Sequence, residues 1–157
     1  MQERRPAILH GTKVGLGTVL AARRYEAVRS LAEQDVIDRL SAASLPAQPD
    51  EIARIRTAYG AAADRIIADH QPFLEMLETR FDALKHKIGT HWARIQEIAA
   101  SVPPPQRIAE LLEQASGSTT PQAVGLSEED VRLALKFSRY LRARFTVNTL
   151  GRLLGLW

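Results

Sequence analysis

The sequence of 157 residues contains no cysteine. That absence rules out a disulfide scaffold and any thiolate metal centre, and nothing in the chain calls for an oxidising compartment. Long apolar runs are missing as well. A bilayer span needs about 20 consecutive apolar residues, and no such stretch occurs, so no membrane association is expected. The opening residues, Met1-Gln2-Glu3-Arg4-Arg5-Pro6, lack the apolar centre of a signal peptide, and the chain reads as cytoplasmic. Charge of one sign is scarce. Lys and Arg number 21 against 18 Asp and Glu, a net charge of +3, which is too small and too mixed for a nucleic-acid footprint. Runs of β-branched residues, internal repeats and low-complexity tracts are also wanting, and no strand is expected.

What is present is an ordinary globular composition, 45% hydrophobic and 25% charged. A compact chain of this length buries ~70% of its unfolded surface, enough for a core without staples. Ala, Leu, Arg, Glu and Ile dominate, and the apolar residues recur at helical spacing. A first helix is expected from about Gly11 or Thr12 to Leu40, with Val14, Leu16, Val19, Val28 and Ile37 on a broad apolar face. Gly15 and Gly17 lie inside its first turns, where each costs roughly 1 kcal/mol relative to Ala. Close approach of another backbone or a ligand would explain them; a frayed start, with helix only from Thr18, is the alternative.

The loop Ser44–Pro49 precedes a second helix with Asp50 as a candidate N-cap, carrying Ile52, Ile55, Tyr59, Ile66 and Ile67. His70-Gln71-Pro72 breaks or kinks it. A further helix runs from Phe73 to Ile98 with a bend at Gly89. Val102-Pro103-Pro104-Pro105 is a stop and a new start, and Gly117 is the expected end of the helix that follows. Thr120-Pro121 opens a short turn that Gly125 closes. Ser127 and Asp130 form an acidic variant of the capping box for a last long helix reaching Phe145, followed by a short piece over Thr149–Leu154. The reading is all-α: one irregular multi-helix domain over residues 1–157, with about six to eight helices whose unequal lengths argue against a regular four-helix bundle.

Residues able to carry chemistry are few. The four histidines are His10, His70, His86 and His91. His86 and His91 are five residues apart, whereas sharing one helix face takes a spacing of about three or four. His70, beside the proline break, reads as a loop or surface residue. There is no His-Glu-x-x-His, no Gly-x-Ser-x-Gly and no P-loop, and Gly11, Gly15 and Gly17 do not make a dinucleotide fingerprint. Arg139, Arg142 and Arg144 cluster near the end of the last long helix, a favourable place for cations, with an anion contact as the sharper alternative. His10 stands at the foot of the first helix followed by Gly11, free of bulky neighbours in sequence. Alone it is more readily a cap or a solvated residue than a ligand, because a catalytic zinc takes about three protein ligands.

The stretch Ile8-Leu9-His10-Gly11-Thr12-Lys13-Val14-Gly15-Leu16-Gly17-Thr18 resembles the His-Gly-x-x-Val-x-x-Gly segment of the iron-containing alcohol dehydrogenase and dehydroquinate synthase superfamily. The segment Ala115–Glu129, then Ala134-Leu135, Leu141-Arg142-Ala143-Arg144-Phe145-Thr146 and Leu150-Gly151 look like the C-terminal part of sn-glycerol-1-phosphate dehydrogenases. Phe145 stands where that family usually has tyrosine. The order and spacing of the pieces agree across residues 7–157.

The resemblance implies a dehydroquinate synthase-like C-terminal domain, the helical half of a metal-dependent NAD(P) oxidoreductase that reduces dihydroxyacetone phosphate. It implies that His10 is a ligand to a divalent metal (zinc, iron or nickel) acting as Lewis acid on the substrate carbonyl. In the family the other two ligands, an aspartate and a histidine, and the whole nucleotide-binding domain precede the point where this chain begins. By that reading the chain covers less than half of a complete member, holds metal weakly or not at all by itself and is inactive alone. No catalytic and no cofactor-binding residue carries over, and the NAD(P)-binding half would come from another chain or from upstream in a longer protein. Its face toward that half should expose an apolar patch near Gly15 and Gly17. The alternative is a non-catalytic helical module that associates with itself, as a homodimer, or with a partner.

Overall fold

The computed structural model describes residues 9–157. Ile8 of the His-Gly segment and the polar leader Met1–Pro6 lie outside the described residues. The described chain is all-helical, with nine α-helices, eight of them ten residues or longer, and three short 3-10 turns. The expected all-α, multi-helix architecture is therefore the one observed.

Helix α1 spans His10–Arg29 and α2 spans Glu33–Ala42. The sequence pattern reads these as one helix, but the ladder stops at Ser30. The Ser30 hydroxyl bonds back to the Ala27 carbonyl at 2.9 Å, a local competitor of the helical ladder. The Leu31 carbonyl accepts from Gln96 Nε2 at 2.8 Å, and Arg29 reaches the Val102 carbonyl. Glu33 and Asp35 then suit the start of a new helix.

Helix α3 covers Gln48–Tyr59, and the 3-10 turn Gly60–Ala62 leads into α4, Ala63–Leu74. Ala47, not Asp50, holds the cap position, and Asp50 sits three positions past it in the first turn, where a carboxylate still meets the positive helix end. Gly60 turns the chain with φ +50. Pro72 does not break α4. It lies in the last turn, and the chain leaves the helix only after Leu74.

Helices α5, Glu78–Thr90, and α6, Trp92–Ser101, meet at His91, two positions beyond the expected bend. Helix α7, Pro105–Gln114, starts where the prolines require. Its end differs in detail from expectation: Ser116 takes the left-handed position with φ 58, and the Gly117 N–H closes onto the Leu112 carbonyl at 2.7 Å. A Cβ on Gly117 would sit 3.0 Å from that oxygen, so glycine permits the tight closure.

The turn Gln122–Val124 ends at Gly125 with φ 73, and the Ser127–Asp130 capping box opens α8, Glu128–Phe137. Helix α8 is shorter than expected because its last carbonyls are claimed by other elements. Arg24 donates to Leu135 O at 3.0 Å and Tyr59 to Phe137 O at 2.8 Å. A 3-10 turn, Ser138–Leu141, and an extended Arg142 follow, and α9 is Val147–Leu153.

Two apolar clusters result. The larger joins Val28, Val36, Leu40, Ile88, Trp92 and Leu154 from α1, α2, α5, α6 and the end of α9. The smaller is Ile55, Ala63 and Tyr140, with Tyr59, Ile66 and Phe137 against it. Over α9 the Trp157 ring packs against Gly151, so close that a Cβ there would fall 1.8 Å from a ring carbon. The Arg24 guanidinium covers that ring at 4.3 Å while bonding Asn148 at 2.8 Å.

Candidate functional site

His10 is the first residue of α1 and is exposed. The glycines around it differ. Gly15 is buried, and a Cβ there would meet Leu112 Cδ2 of α7 at 2.9 Å, whereas Gly11 and Gly17 face open space. The approach of a backbone or ligand expected from the sequence is thus not what is found: Gly15 meets a side chain of α7, and nothing approaches Gly17. Helix α1 runs unbroken from His10, so the frayed start does not occur. Leu9, Val14 and Leu111 are exposed by 77, 53 and 48%, on α1, its leading residue and the neighbouring α7.

No other histidine is gathered with His10 into a metal site. Among the described residues no group of three His, Asp or Glu side chains could hold a metal ion. One imidazole falls short of the roughly three protein ligands of a catalytic metal centre. The described residues thus do not fit a complete metal site, and His10 supplies at most one corner of it. His86 and His91 are exposed. His70, expected at the surface, is 6% exposed; α4 continues past it and turns it inward. Its Nδ1 lies 3.0 Å from the Ile66 carbonyl. A carbonyl only accepts, so Nδ1 carries the proton and Nε2 is left with its lone pair in the neutral ring.

A lined concavity lies elsewhere. A cavity of about 570 Å³ opens between the end of α2 with its loop, the first turns of α3, the end of α4, the start of α5 and the segment from Arg139 to Gly155. Helix α1 contributes nothing to it. One wall is a buried polar network. Glu51, in line with Ile55 and Tyr59 on α3, accepts from Arg54 at 2.6 Å on one oxygen. Its other oxygen accepts from Arg139 at 2.7 Å and from the Tyr140 hydroxyl at 2.5 Å. Arg139 also donates to that hydroxyl, and its guanidinium stacks 4.5 Å from the Tyr140 ring. A carboxylate this deeply buried needs all these donors, because an unpaired buried charge is costly. Burial, and then the bond to Glu51, push the Tyr140 hydroxyl up to about 12. The His70 ring meets Tyr140 edge-on at 5.8 Å.

The lining also holds apolar side chains, Phe73, Leu74, Phe81, Leu84 and Leu153. Five arginines line the cavity against two carboxylates, Asp50 and Glu51. Arg39 donates to the Leu154 carbonyl at 2.9 Å. Arg144 and Arg152 are exposed and have no side-chain hydrogen bond or ion pair among the described residues.

The arginine cluster read from sequence is thereby divided. Arg139 turns inward to Glu51, Arg144 faces the cavity, and exposed Arg142 does not line it. None of the three stands at an α-helix C-terminus, since α8 ends at Phe137, so the helix-dipole explanation does not apply. Sequence reasoning missed Glu51, His70 and Tyr140. The signal for Glu51 was a lone acid on the Ile55 and Tyr59 face of α3.

No helix of the described chain is long and apolar enough to cross a membrane. No family model, no curated protein and no solved structure matches the chain.

Proposed function

We propose that this chain is the helical half of a metal-dependent NAD(P) oxidoreductase resembling sn-glycerol-1-phosphate dehydrogenases, incomplete without a nucleotide-binding half. The reading is carried by the place of His10. It opens a 20-residue helix, exposed, with Gly11 leaving the space beside it empty. That is where the resemblance puts a metal ligand, and it is a corner that other residues must complete. The exposed apolar side chains Leu9, Val14 and Leu111 near this end of α1 suit a face that a second domain covers. The same side chains also suit the second reading, a helical module that associates through this face without catalysis.

The experiment is recovery of the tagged chain from its source cells with its bound proteins identified by mass. A co-purifying chain with a dinucleotide fingerprint is the expected result. In that assembly His10→Ala should abolish metal content and dihydroxyacetone phosphate reduction while the helical circular dichroism stays unchanged. Full metal content and activity in the variant would remove His10 from the site. Recovery of the chain alone, or with unrelated proteins, would favour the association module.

A further inference from the structure

The cavity between the two apolar clusters is independent of His10 and of α1. Its size, about 570 Å³, lies within the range of small-molecule sites, roughly 300–1,000 Å³. Its chemistry is divided. Phe73, Leu84 and Leu153 offer an apolar surface that gains by covering an apolar body. The polar side carries an excess of positive charge.

That excess is not neutralised within the fold. Glu51 is already saturated, both oxygens being bound by Arg54, Arg139 and Tyr140. Asp50 is then the single remaining carboxylate against Arg39, Arg144 and Arg152. Arg144 and Arg152 have no partner among the described residues. The guanidinium fork matches the oxygens of phosphates and carboxylates, often in a bidentate pair. Arg139 adds a buried Nε without a partner among the described residues, so the wall itself is short of acceptors. The excess of guanidinium groups favours an anion over a neutral ligand and disfavours a cation.

We propose that this cavity binds a small soluble amphipathic oxyanion, a phosphate or carboxylate head on a short apolar body, with Arg144 and Arg152 holding the head and Phe73, Leu84 and Leu153 covering the body. The rigid Glu51–Arg139–Tyr140 wall fixes the shape of the site, and the two arginines at the rim supply its selectivity.

The test is a calorimetric titration of the 157-residue chain with hexyl phosphate, hexanol and inorganic phosphate, with amide shift mapping of the bound position. Hexyl phosphate should bind at one site at least about tenfold more tightly than either of the others, since each lacks one half of the recognition. Its shifts should centre on Phe73, Leu84 and Leu153. The double variant Arg144→Gln/Arg152→Gln should weaken hexyl phosphate about tenfold or more at an unchanged melting temperature, because neither side chain has a partner within the fold to lose. Equal binding of hexanol or of inorganic phosphate, unaltered binding by the double variant, or no saturable binding would each overturn the proposal. None of these outcomes bears on His10, which does not line this cavity.

Discussion

The two buried clusters are built on different principles. The cluster around Trp92 is made of apolar side chains from five helices, with Val28, Val36 and Leu154 almost wholly out of water. The cluster around Ile55 has only three buried members, and its neighbour is a carboxylate held by two arginines and a tyrosine. Apolar burial is non-directional and falls off gradually as area is lost. A buried polar network fails as a unit when one partner goes. The α3–α4 side of the molecule should therefore be the part that responds to loss of one polar partner and to pH, and the α5–α6 side the part less affected by either.

Glu51→Ala should show the largest effect. It leaves Arg139 and Tyr140 buried without their acceptor, a loss of about 3 kcal/mol. Hydrogen-exchange protection should fall in α3 and α4 and persist in α5 and α6. Equal loss on both sides would mean that the two clusters unfold as one, and the comparison would fail.

Alkaline pH is a gentler probe of the same difference. The Tyr140 hydroxyl is raised to about 12 by burial and by its bond to Glu51, from an ordinary value of 10.0. A group whose folded value is raised holds its proton more tightly when folded, so its stabilisation is complete below pH ~10 and is lost as pH rises toward ~12. Burial shifts Tyr59 in the same direction. The urea midpoint should fall across that window, together with the appearance of tyrosinate absorbance. A flat midpoint would show that the Tyr140 hydroxyl does not stabilise the fold.

The smallest expected effect lies outside both clusters and calibrates the scale for them. Gly17 is inside α1 and exposed, with nothing near the position of a Cβ. Gly17→Ala should stabilise the chain by about 0.5–1 kcal/mol through helix propensity alone, read as a raised melting temperature. A loss of stability would mean that something covers this face in solution.

Much of the fold was legible where a local rule is decisive. The proline run before α7, the Ser127–Asp130 box and Gly125 all mark boundaries at the places the structure has them. The errors share a cause, which is that the deciding contact comes from far along the chain. The α1–α2 break depends on Gln96 taking the Leu31 carbonyl, and the end of α8 depends on Arg24 and Tyr59. No periodicity within a window of α1 or α8 carries that information. The proline near His70 was over-read for another reason: it costs the bond to the Ala68 carbonyl, but only two residues of α4 follow it, so the helix ends at Leu74 instead of breaking in its middle.

Of the candidate sites, His10 could be singled out because it lies in a contiguous segment that resembles a family motif. The cavity could not be, because its lining is assembled from stretches around Arg39, Glu51, His70 and Arg139. Arg139 and Arg144 were visible as charges, but their separate roles were not, since one turns inward and the other toward the cavity.

The seat of Trp157 on Gly151 makes that glycine an amplifier. Ordinarily the smallest change a residue can suffer, one added methyl group, has an effect of its own size. Here the methyl would occupy the volume of the indole, so the whole ring must leave. With it goes the surface against which Arg24 lies, the residue that ties α1 to Asn148 and to the end of α8. A single carbon at position 151 is thus geared to three separate stretches of chain, although the position itself carries no side chain at all.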